Sequence, residues 1–211
     1  MDDPCAADGD RILVLGIGNI LWADEGFGVR VIEALDSRYE LPANVTVLDG
    51  GTQGLYLLPH LEDADGVILV DAIDYGLPPA TLKVLRDDEV PAVLGARKVS
   101  LHQTGFQEVL ALLHFRGCAP RRLRLVGIQP ERLDDYGGGL TPAVADKLEP
   151  ALAAVLAILA DDFGIAAVPR TSHDGFAAPA VSREVYEGGR PSPEAACRVG
   201  DARVLAGWTQ G

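Results

Sequence analysis

Cysteine is scarce in this chain, and its spacing excludes more than its number does. Cys5, Cys118 and Cys197 are the three in 211 residues, and no two form a C-x-x-C pair. That argues against a disulfide framework and a thiolate zinc site, and it suits a reducing cytoplasm. Positive charge is also short: 18 basic residues against 31 acidic ones give a formal charge of −13. Such a balance disfavours general binding to nucleic acid or to an anionic membrane surface. Long apolar runs are missing. Ile12–Ile17 and Ala151–Ala160 fall well short of the ~20 residues a membrane-spanning helix needs. The first residues, Met-Asp-Asp-Pro-Cys-Ala-Ala-Asp, lack the basic and apolar segments of a signal peptide. Familiar catalytic signatures are absent as well, with no G-x-S-x-G elbow and no H-E-x-x-H pair. Gly16-Ile-Gly18-Asn-Ile-Leu21 has leucine where a dinucleotide loop carries its third glycine.

What is present is a chain 48% hydrophobic, enough for a substantial core in one domain. Arg11-Ile-Leu-Val-Leu-Gly16 is a short apolar run that predicts a strand buried on both faces. Asp24 is placed to cap a helix reaching about Tyr39, with Phe27, Val31, Ile32 and Leu35 on one stripe. Further strands are predicted at Asn44–Leu48, at Gly66–Val70 ending on Asp71, at Ala80–Arg86 nearer the sheet edge, and at Arg122–Gly127. The glycine-rich Asp49–Gly54 reads as a turn before a helix through Leu61. Ser100 and Gln103 have capping-box spacing, so a helix should run from there to Phe115 with Phe106, Val109, Leu110 and Leu113 inside. Thr141-Pro142 predicts a capped helix to about Ala160. Strands alternating with helices imply parallel βαβ units in a three-layer α/β sandwich. Residues 166–211 shift to Ala, Gly, Pro, Arg and Ser and read as a loose extension with a short helix near Ser192–Arg198, leaving 11–165 as the body.

In a parallel α/β sheet, ligands bind beyond the carboxyl ends of the strands. Glu25, Asp71, His102 and the Asp49–Gly54 segment all fall there by this reading. Two carboxylates and one imidazole converging at such an edge make a hard-to-borderline metal site with open positions. His102 in the first turn of a helix should be a neutral ring, because the dipole disfavours imidazolium. Asp74 is a helper or a solvated turn residue, and the turn reading is favoured. His60, His114 and His173 have no comparable placement.

Ile12-Leu-Val-Leu-Gly-Ile-Gly-Asn-Ile-Leu-Trp-Ala-Asp-Glu-Gly-Phe-Gly-Val-Arg30 resembles the N-terminal signature of the hydrogenase maturation endopeptidases. The likeness continues in order through Leu48–Gly54, Val67–Ile73, Leu85–Pro91, Ser100–Gln103, Leu125–Pro130, Gly139–Pro142 and Glu149-Pro150, covering about residues 11–165. The resemblance implies a twisted, mostly parallel five-stranded sheet between helices. It implies nickel bound by Glu25, Asp71 and His102, the nickel being carried by the precursor of a nickel–iron hydrogenase large subunit. The reaction it implies is removal of a C-terminal extension from that precursor. Asp49, Gly50, Gly51, Thr52, Gln53 and Gly54 are similar to the family's substrate-selectivity loop. The alternative from a different class is a non-catalytic nickel-delivery or precursor-binding factor using the same three side chains.

Overall fold

The computed structural model describes residues 10–96, 101–171 and 183–188. In chain order the elements are β1 Ile12–Ile17, α1 Phe27–Arg38, β2 Tyr39–Glu40, β3 Val45–Gly51 and α2 Leu58–Glu62. They continue with β4 Gly66–Ala72, β5 Leu82–Arg86, α3 Glu89–Ala96, α4 Leu101–Arg116 and β6 Arg122–Ile128. α5 Pro142–Ala145, α6 Leu148–Phe163, β7 Val168–Pro169 and α7 Arg183–Gly188 follow. Two 3-10 turns, Ala23–Gly26 and Gly54–Leu57, precede α1 and α2.

Five strands form the main sheet in the order β3-β1-β4-β6-β5. The first four run parallel, and β5 closes the edge antiparallel to β6. β1 and β4 lie inside the sheet with every residue buried, as their continuous apolar runs predict. The alternation of the strands divides the core in two. Val14, Ile68, Val70, Val126 and Ile128 pack with α1 and α6 on one face. Leu13, Leu15, Val67, Leu69 and Leu125 pack with α2, α3 and α4 on the other. The result is the three-layer sandwich expected, with the helix stripe Phe27, Val31, Ile32 and Leu35 wholly inside.

Several boundaries move, each for a pairing reason. β4 runs on through Asp71 and Ala72 because Gly127 and Ile128 of β6 continue the ladder. β3 likewise absorbs Asp49, Gly50 and Gly51: Asp49 pairs with Gly16 and Gly51 with Ile17, the register shifting between the two pairs. Thr141 is the N-cap of α5 and Pro142 its first residue, but the helix ends at Ala145 and α6 begins separately at Leu148. Past the main sheet, β7 pairs antiparallel with β2, Tyr39 facing Pro169 and Glu40 facing Val168. Ser100 of the expected capping box and Ser192–Arg198 lie outside the described residues.

The end of the sheet away from the strand C-termini is sewn by charge. Arg124 of β6 is 6% exposed; its Nε donates to Asp162 at 2.6 Å and its Nη1 to Asp87 at 2.6 Å. Arg86 reaches both Asp162 oxygens at 2.9 Å, and Arg121 donates to Asp10 at 2.6 Å.

Candidate active site

α1 begins later than its sequence suggests, and the difference relocates a carboxylate. The N-cap of α1 is Gly26, without a side-chain hydrogen bond. Asp24 is not a cap: it is 0% exposed in the 3-10 turn and accepts hydrogen bonds from a distant loop. Glu131 N donates to it at 2.9 Å, Arg132 N at 2.8 Å and Thr141 N at 2.7 Å, with the Thr141 hydroxyl at 3.1 Å. Four donors converging on one buried carboxylate hold it better than the amides of a helix start could. The Thr141 hydroxyl therefore serves Asp24 and makes no side-chain bond to the start of α5.

Glu25, the next residue, is half-buried in the same turn. Its amide donates to Trp22 O at 2.9 Å and its carbonyl accepts from Asn19 N at 3.2 Å. One glycine seats this turn on the sheet. A Cβ at Gly28 would stand 2.1 Å from Val70 O and 2.3 Å from Ile17 O, so only glycine lets α1 approach so closely. Glu25 is thereby fixed at the C-terminal ends of β1 and β4. Asp71 lies at that end of β4, 2% exposed, its Oδ1 accepting from Ala72 N at 2.7 Å.

His102 is the second residue of α4, and α4 packs against the 3-10 turn Gly54–Leu57. Its imidazole lies outside the described residues. Among the described residues, no three His, Cys, Asp or Glu side chains are grouped to hold a metal ion. Glu25 and Asp71 are thus brought to one end of the sheet, and the helix bearing His102 adjoins the segment after β3.

Within Asp49–Gly54, Gly51 O accepts from Gly18 N at 3.0 Å, tying the segment to the loop after β1. Thr52 and Gln53 are exposed. Asp49 Oδ1 accepts from Gly51 N at 2.8 Å. Burial raises the Asp49 carboxyl above its ordinary value, against the lowering effects of the Gly51 amide and the Arg30 charge. Exposed apolar side chains border both loops. Trp22 and Tyr136 meet edge to face with ring centres 5.2 Å apart, and Leu55 and Tyr56 stand out beyond Gly54.

Two further residues were not singled out by the sequence reading. Gln129, 7% exposed just beyond β6, accepts from Tyr75 N at 2.7 Å and from Leu77 N at 3.2 Å. Its amide nitrogen donates to Asp74 Oδ1 at 3.0 Å, which also accepts from Gly76 N at 2.8 Å. Asp74 is thus a tie within the turn after β4 and not a solvated residue. Tyr75 is the second: its hydroxyl is buried without a hydrogen-bond partner among the described residues. A Gln-Pro pair directly after an apolar run was the only local signal for the first, and nothing local marked the second.

These features define a class of protein: a doubly faced α/β sandwich whose acidic site lies where the central parallel strands end. The family follows from comparison with known proteins. The hydrogenase maturation protease family HycI matches residues 29–158. The hydrogenase expression/formation protein HupM of Azotobacter chroococcum is 56% identical over 93% of this chain and 94% of its own length. The hydrogenase 2 maturation protease of Escherichia coli is 49% identical over 78% of this chain and 99% of its own. Among solved structures, the hydrogenase maturating endopeptidase HybD from E. coli aligns with a TM-score of 0.72 at 49% identity, covering 76% of this chain and 98% of that one. The chain belongs to the hydrogenase maturation protease family, and it is a peptide hydrolase of hydrogenase maturation. No helix among the described residues is long and apolar enough to cross a membrane.

Proposed function

We propose that this protein is the endopeptidase that removes the C-terminal extension from a nickel–iron hydrogenase large-subunit precursor in the cytoplasm, using nickel already carried by that precursor for recognition. The observation carrying this reading is the seat made by Gly28, which holds the Glu25 turn against the end of the strand bearing Asp71. Carboxylate oxygens with an imidazole nitrogen from His102 form a donor set that suits a borderline divalent ion. Three ligands from this chain leave coordination positions for the precursor's own groups, so an unloaded precursor would offer nothing to clamp. Metal-polarised peptide carbonyls and activated water are the chemistries such an ion supplies.

The surroundings support a protein substrate. Trp22 with Tyr136, and Leu55 with Tyr56, give two exposed apolar edges near the site, the kind of surface that docks a polypeptide. The Asp49–Gly54 segment, strand-paired at one end and exposed at Thr52 and Gln53, suits recognition of the precursor. The test is nickel-loaded precursor incubated with wild type and with Glu25→Gln, Asp71→Asn and His102→Ala. Wild type should shorten the precursor on a gel and the variants should not, while nickel-free precursor stays intact. Full cleavage by all three variants rejects the assignment. A precursor left full length by wild type but altered in nickel content would instead favour a delivery factor.

A further inference from the structure

Tyr75 follows β4 by three residues, and the turn carrying it folds back over the sheet. Ile73 N donates to Ile128 O at 2.8 Å, and Gln129 gathers the amides of Tyr75 and Leu77. The tyrosine ring is thereby returned onto β6. There the sheet has a row of three residues in register: Asp71 of β4, Gly127 of β6 and Lys83 of β5. Gly127 leaves a gap between an acid and a base, and Tyr75 fills it. Its hydroxyl stands 1.9 Å from where a Cβ on Gly127 would be. Lys83 Nζ lies 5.6 Å from the ring centre.

The hydroxyl oxygen is buried with no hydrogen-bond partner among the described residues. Such a group is costly in a folded protein and calls for a reason. A phenylalanine would fill the same space without the cost. The neighbouring strand supplies a reason, because adjacent strands lie about 4.8 Å apart, so the hydroxyl stands roughly one strand spacing from the Asp71 Cβ. A carboxylate on that Cβ reaches the hydroxyl by a change of rotamer.

We propose that Tyr75 is a positioning residue for Asp71, its phenol donating a hydrogen bond to the Asp71 carboxylate when the precursor engages the site. Burial first, and the charge of Asp71 second, raise the phenol far above its ordinary value of 10.0, so it remains a donor. Donors behind a working carboxylate fix its orientation, and losing one typically costs 10- to 100-fold in activity or metal affinity. This rests on Asp71 acting in precursor cleavage as proposed above.

The test compares wild type with Tyr75→Phe on purified nickel-loaded precursor, with a thermal melt of each protein. Wild-type cleavage comes first; its failure removes the functional reading itself. Given cleavage, Tyr75→Phe should lower kcat at least about 10-fold with KM within about twofold, and its melting temperature should equal or exceed that of wild type. A wild-type kcat in Tyr75→Phe overturns the proposal while leaving the protease assignment standing. A fall in melting temperature with unchanged kcat overturns it too, by making the hydroxyl structural. Tyr75→Leu, which removes ring and hydroxyl together, should show the same loss of kcat; full activity in that variant also overturns the proposal.

Discussion

Asp24 and Glu25 are adjacent acids with opposite surroundings, and the contrast assigns their work. Asp24 is sealed from solvent and saturated by donors from Glu131, Arg132 and Thr141, whereas Glu25 remains half-buried at the site. The first therefore holds the loop, and the proposed role toward substrate falls to the second. Asp24→Asn turns an amide NH2 toward backbone donors, leaving at least one of those N–H groups without its acceptor. The expected loss is about 2 kcal/mol of stability, read from urea unfolding. Cleavage should fall as well, since the loop released is the one bracing the turn that carries Glu25. A stability change under about 0.5 kcal/mol would mean that the four bonds contribute little net. None of this was legible locally: the partners of Asp24 lie 107 to 117 positions away in the chain. Read alone, an aspartate before a helical stripe looks like a cap.

At the scale of elements, legibility tracks how local the cause is. β1 and β4 announce themselves because a strand buried on both faces needs an unbroken apolar run. β5 was placed toward the edge because its residues alternate, and it occupies the edge, with Leu82 and Leu85 the less exposed. α3 went unread; it has only eight residues, with Pro91 in its first turn. β2 and β7 are two residues each and exist only through each other. The order of strands, and hence which loops share an end of the sheet, comes from packing that no single segment encodes. Gly28 shows how narrow that packing is. Gly28→Ala would push a methyl into two backbone carbonyls, which cannot turn aside as a flexible side chain can. α1 must lift from β4, at a cost of about 3 kcal/mol, and carry Glu25 away from Asp71. Gly188→Ala is the control, with open space around its Cβ. Loss of precursor cleavage in the first variant and not the second is the expected result. Equal activity in both would separate Glu25 placement from this contact.

Over the whole molecule, the proposed site and a cluster of ion pairs occupy opposite ends of one sheet. Glu25, Asp71, Asp49 and Tyr75 gather where β1, β3 and β4 finish, while Arg86, Arg124, Asp87 and Asp162 interlock toward the start of β6. Burial alone would raise the Asp162 carboxyl, but hydrogen bonds from Arg124 and Arg86 outweigh it and leave it below its ordinary value of 3.8. A carboxyl depressed by folding binds fewer protons in the folded state than in the unfolded chain. Its stabilising contribution is therefore complete above about 3.8 and disappears as pH falls through the lower folded value. Asp162→Asn should cost about 2 kcal/mol near neutrality, because among the described residues Arg124 keeps only Asp87 as a charged partner. The gap from wild type, followed by urea unfolding across acid pH, should narrow as wild type itself loses the ionised carboxylate. A gap that stays constant down to about pH 2 would show that the pair is not its source. Precursor cleavage near neutrality should match wild type once the variant is folded, since the cluster lies at the other end of the sheet from Glu25 and Asp71. If Asp162→Asn lowered kcat without lowering stability, the two ends of the sheet would be coupled, and the site would depend on more than the contacts around Gly28 and Asp24.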